Sequence, residues 1–89
     1  MKIVAICGAG IGSSGILKVN AERVLDRLGI EADVIALDLG SLAQASDAQV
    51  ILTSAEFVEA IGKTWADVIV IENYFDTDEL TRKLEVSLG

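Results

Sequence analysis

The chain has 89 residues, 52% of them hydrophobic, which suits one small domain over 1–89 with a single core. Fourteen acidic against seven basic residues leave a net charge of −7, a balance that repels nucleic-acid phosphates, so no nucleic-acid partner is expected. One cysteine excludes an internal disulfide framework, the absence of histidine argues against a zinc cluster, and no apolar run nears the ~18 residues of a membrane span, so a cytoplasmic chain is expected. The acidic excess reads as a solubility feature, with steering of a basic partner as the alternative.

Residues 2–6 are apolar and β-branched-rich and predict a buried first strand. Cys7 to Ser14 follows as Cys-Gly-Ala-Gly-Ile-Gly-Ser-Ser, a glycine-rich turn. Leu17, Ala21, Val24 and Leu28 then recur on one helical face, with Ser13 or Ser14 as the cap and Gly29 as the stop. A second strand is predicted over 32–37. Asp38 to Asp47 reads as a polar connection with one helical turn near Leu42. A third strand is predicted over 49–53. Ser54 is expected to cap a short helix to Ile61, ended by Gly62. A fourth strand is predicted over 66–71, and Asp76 or Thr77 is expected to cap a last helix carrying Leu80, Leu84 and Leu88. Asp78 and Glu79 suit its positive end.

Apolar strands alternating with helices predict an α/β fold: a four-stranded parallel sheet in the order 2-1-3-4 with helices on both faces, three layers, Rossmann-like or phosphatase-like. Ligands of such sheets bind beyond the C-terminal strand ends, at the switch point between strands 1 and 3. The Cys7–Ser14 loop falls there. Its backbone N–H groups can form an anion nest at a helix N-terminus, with Gly8, Ala9, Gly10, Ile11 and Gly12 as the loop and the Ser13 and Ser14 hydroxyls as further donors. That environment favours a thiolate, so Cys7 reads as a nucleophile; the bland alternative is a small buried hydrophobe.

Three other chemistries use glycine loops. Gly10-Ile11-Gly12-Ser13-Ser14-Gly15 fits a dinucleotide fingerprint, with Asp38 after the second strand, but the chain is too short for two mononucleotide-binding halves. A P-loop NTPase is excluded because no G-x-x-x-x-G-K-[ST] occurs. Low-molecular-weight cysteine phosphatases need Cys-x5-Arg, and Ser13 stands where that arginine would be, so the bidentate clamp on a phosphate ester is missing. Thr53 and Ser54 are expected at the rim of the loop. Glu72 and Asn73 read as a solvated turn, Asp38 as surface loop, and Trp65 as cover for a sheet edge.

The run Ile3-Val4-Ala5-Ile6-Cys7-Gly8-Ala9-Gly10-Ile11-Gly12-Ser13-Ser14 resembles the enzyme IIB component of the bacterial phosphoenolpyruvate-dependent sugar phosphotransferase system. Within the lactose/galactitol/ascorbate-type group it looks most like the ascorbate-type IIB proteins. The likeness in length and element order covers nearly the whole chain, while its specific part is the loop. The resemblance implies a phosphotransferase whose Cys7 accepts a phosphoryl group from phosphohistidine on a IIA partner. It would then pass the group to a sugar or ascorbate held by the IIC membrane transporter. Gly8 to Ser14 would be the phosphate loop, the histidine steps would lie on partners, and no metal or organic cofactor is implied. The expected docking rim is Cys7–Ser14, Asp38–Ser41, Thr53–Glu56 and Glu72–Phe75.

Overall fold

The structure, a computed structural model, describes residues 1–6, 13–37, 39–62, 64–73 and 75–88. Strands β1 (Lys2–Ile6), β2 (Asp33–Leu37), β3 (Val50–Thr53) and β4 (Asp67–Val70) form one sheet in the order β2-β1-β3-β4, and every pairing is parallel. This is the predicted order. The observed β2 to β4 are each trimmed by a residue or two relative to expectation, because the ladder needs a paired neighbour and apolarity alone does not supply one.

Alternation along β1 divides the core. Ile3 and Ala5 join Val50, Leu52, Ile69 and Ile71 on one face. Helices α1 (Ser13–Leu28) and α3 (Thr77–Leu88) cover this face with Leu17, Ala21, Val24, Leu80 and Leu84. Val4, Ile6 and Ile51 point to the opposite face, where Ala45, Ala48, Ile61 and Ala66 meet them. The cover on that side is thin: a 3-10 helix (Leu39–Ala45), a second 3-10 turn (Ala55–Phe57) and the single turn α2 (Val58–Ile61). Ile35 on β2 stays 38% exposed. The connection expected to hold one helical turn near Leu42 is this longer 3-10 helix.

Local chemistry explains where the helices stop. Gly29 has φ +73, a left-handed conformation that glycine adopts without steric cost. The Gly29 N–H donates to the Asp26 carbonyl at 3.1 Å and the Ile30 N–H to the Leu25 carbonyl at 2.9 Å, closing a Schellman motif. Ile30 then packs on the same core as Leu25. Asp76 is the cap of α3: its Oδ1 accepts the N–H groups of Asp78 at 3.0 Å and Glu79 at 3.1 Å. Ser54 precedes its 3-10 turn in extended conformation, but its hydroxyl donates to the Glu56 carboxylate at 3.2 Å instead of capping the backbone. Trp65 is 99% exposed and covers no edge, contrary to expectation, because it stands on the turn before β4 and projects away from the sheet.

Among the described residues the α1–α3 layer carries the larger share of buried apolar side chains. Leu84→Ala should cost about 2–5 kcal/mol in urea unfolding, from lost transfer energy and a residual cavity. Val86→Ala, at a position 87% exposed, should stay within about 0.5 kcal/mol of the parent.

Candidate functional site

Four parallel strands bring their C-terminal ends to one edge of the sheet, and the site is built there. Ile6 ends β1, Thr53 ends β3, Leu37 ends β2 and Val70 ends β4, while α1 starts at Ser13. Cys7, Gly8, Ala9, Gly10, Ile11 and Gly12, which join Ile6 to α1 in sequence, lie outside the described residues, as do Asp38 and Tyr74. The backbone of Ser13 and Ser14 is the first turn of α1; their side chains lie outside the description.

Thr53 is fully buried, and its hydroxyl donates to the Ile6 carbonyl at 2.8 Å. It is the register partner of Ile6 in the last rung between β3 and β1. The sequence places Thr53 at the rim; the structure sets it one layer beneath, bound to the residue that precedes Cys7. Ser54 and Glu56 do reach the surface there.

The turn after β4 is more ordered than a solvated turn. The Glu72 and Asn73 side chains are exposed, but both backbone N–H groups donate to the Glu79 carboxylate, at 3.0 Å each, one to Oε2 and the other to Oε1. Lys83 donates to the same carboxylate at 2.7 Å and also to the Val70 carbonyl. Asn73 Oδ1 accepts the Phe75 N–H at 3.0 Å and the Asn73 carbonyl accepts the Asp76 N–H at 3.0 Å, which sets the backbone into α3. Burial of Glu79, only 6% exposed, would raise its pKa. The hydrogen bonds from Lys83, Glu72 and Asn73, with the Lys83 charge, outweigh that and hold it at about 2.

Sequence reasoning missed this staple. Asp76-x-x-Glu79 has the spacing of a capping box, and that signal was available. In a capping box the glutamate reaches back to the cap residue; here it reaches farther, into the turn that leaves β4.

An apolar groove of about 530 Å³ opens beside this turn, lined by Gly15, Ile16, Val19, Asn20 and Phe75. Phe75 is 72% exposed, and Ile16 and Val19 are partly so. Among the described residues no cluster of His, Cys, Asp and Glu could hold a metal ion, and no helix is long and apolar enough to cross a membrane.

The fold is therefore a three-layer α/β domain of the Rossmann-like, phosphatase-like kind, with its candidate site at the strand ends. The family model for the PTS system, Lactose/Cellobiose specific IIB subunit, matches residues 2–86, and the chain belongs to that family. The ascorbate-specific PTS system EIIB component of Mycoplasma pneumoniae is 28% identical over 86 residues, 94% of this chain and 90% of that protein. The lactose-specific IIB component domain of the phosphoenolpyruvate:carbohydrate phosphotransferase system from Streptococcus pneumoniae superposes with a TM-score of 0.66 at 15% identity, covering 99% of this chain and 94% of that one, a likeness of fold. Proteins of this family are phosphotransferases of sugar transport, and a IIB component works between a IIA and a IIC component.

Glu79→Gln tests the staple. The folded pKa is depressed from the ordinary 4.5 to about 2, so the carboxylate's contribution is complete above pH 4.5 and is lost as pH falls toward 2, where the unfolded chain protonates first. The variant should be about 1–3 kcal/mol less stable near neutrality. The gap to the parent in urea melts should narrow across that acid window.

Proposed function

We propose that Cys7 is the phosphoryl-carrying residue of this IIB protein, that Gly8, Ala9, Gly10, Ile11, Gly12, Ser13 and Ser14 hold the phosphoryl group, and that the donor is a phosphohistidine on a IIA partner. The observation that carries the reading is the position of Cys7: it directly follows the buried central strand of a IIB-family domain and is the chain's single cysteine. In the first step the thiolate attacks phosphorus, the S–P bond forms and the P–N bond to imidazole breaks. The thiol proton ends on that imidazole. In the second step a hydroxyl of the sugar or ascorbate on the IIC transporter attacks, the S–P bond breaks and the thiolate takes up the hydroxyl proton.

Neutral donors suit a carrier. Backbone N–H groups and serine hydroxyls stabilise charge on the transferring group without an arginine fork to lock it in place. The Glu79 carboxylate on the same side of the sheet is already saturated by Lys83 and two N–H groups, so its field is largely neutralised locally. Residues 1–89 act as one IIB domain on the cytoplasmic side of the transporter. Membership in the IIB family favours carriage over the phosphatase and nucleotide-binding alternatives.

The IIA surface must cover the strand-end rim to bring two side chains within reach and keep water off the S–P bond. The groove beside Phe75 gives that contact an apolar anchor next to the first turns of α1.

Incubation with phosphorylated IIA should add one phosphoryl group by mass spectrometry, and Cys7→Ser should abolish it. A Cys7→Ser chain that still takes up the group would overturn the assignment. Phe75→Ala should raise the KM for phosphorylated IIA several-fold, by about 1 kcal/mol of lost contact, and leave the melting temperature unchanged.

A further inference from the structure

We infer that Thr53 is a positioning residue for the Cys7 thiol, a role that rests on Cys7 being the phosphoryl carrier. Thr53 and Glu79 are the two buried polar side chains among the described residues. Glu79 is accounted for by the turn it binds. Thr53 ends the strand Val50-Ile51-Leu52-Thr53, where valine would fill nearly the same volume without burying a hydroxyl. Burying that group is unfavourable unless it is bonded, and its bond goes to the Ile6 carbonyl.

That carbonyl belongs to the peptide whose nitrogen is the nitrogen of Cys7. The peptide is rigid, so a carbonyl held from β3 also fixes the plane through which the chain reaches Cys7. Ile6 and Thr53 form the last rung between the two strands. The side-chain bond thus adds a cross-strand restraint at the point where that pairing ends. A hydrogen-bonded carbonyl also polarises its own amide, whose N–H is that of Cys7, and makes that N–H a stronger donor. Thr53 acts through this peptide and touches no reacting atom.

The test compares the parent with Thr53→Val, Thr53→Ser and Cys7→Ser. Three quantities are read: the rate of phosphoryl uptake from phosphorylated IIA, the pH dependence of thiol alkylation by iodoacetamide, and the urea midpoint. Thr53→Val should slow uptake about tenfold or more and move the alkylation midpoint to higher pH. Thr53→Ser keeps the hydroxyl and should restore both toward the parent. If Thr53→Val does not fold, Thr53→Ala carries the same comparison, since it removes the hydroxyl without forcing a methyl against the carbonyl. A folded hydroxyl-free variant with the parent's uptake rate and alkylation profile overturns the inference. So does Thr53→Ser failing as badly as Thr53→Val, which would assign the effect to methyl packing. An unlabelled Cys7→Ser beside an unimpaired Thr53→Val removes the Thr53 role alone, whereas a labelled Cys7→Ser removes the carrier reading beneath it.

Discussion

Parallel pairing of β1 with both β2 and β3 is the constraint on which the rest of this molecule depends. A parallel neighbour cannot be reached by a tight hairpin, so each connection must cross a face of the sheet before the next strand begins. The crossings supply the covering layers. They also give all four strands one direction, so Ile6, Leu37, Thr53 and Val70 finish at the same edge. Residues far apart in sequence, such as Ile6 and Thr53, become neighbours there for this reason.

The two faces answer that constraint differently. One is covered by a sixteen-residue and a twelve-residue helix, the other by 3-10 turns and one α-helical turn. Small residues make the thin side workable. Ala45, Ala48 and Ala66 let the connecting segments lie close on Val4 and Ile51, so a short stretch still excludes water. The two long helices lie on one side, where Glu79 of α3 also fastens the turn after β4.

Much of this architecture was legible in the sequence because it follows from periodicity. Leu17, Ala21 and Val24 repeat on one helical face, and that face is buried. Gly29 marks a stop that needs a left-handed residue, and it adopts one. The strand order followed from crossover handedness. What escaped was tertiary. Nothing local says that Ser54 will give its hydroxyl to Glu56, that Trp65 will face solvent, or that Glu79 will bypass its own helix to bind Glu72 and Asn73. The candidate phosphate loop is legible only as residue types, and Cys7 to Gly12 lie outside the described residues. The bond from Thr53 to the Ile6 carbonyl is not legible at all: Thr53 reads as a rim residue, because a sequence shows that a hydroxyl is present but not which acceptor waits opposite.

The salt link that tethers Lys83 to Glu79 has one more consequence. β4 is one of the two edge strands, with β2 at the other side, and an unguarded edge strand is a template for pairing with another chain. Lys83 sets its ammonium on the Val70 carbonyl, an acceptor that an incoming strand would require. At the other end of β4, Ser87 donates to the Asp67 carboxylate, so α3 holds both ends of the strand with polar side chains. A charge placed there discourages edge-to-edge aggregation. The same lysine thus keeps the β4 edge from acting as a docking strand for a second chain.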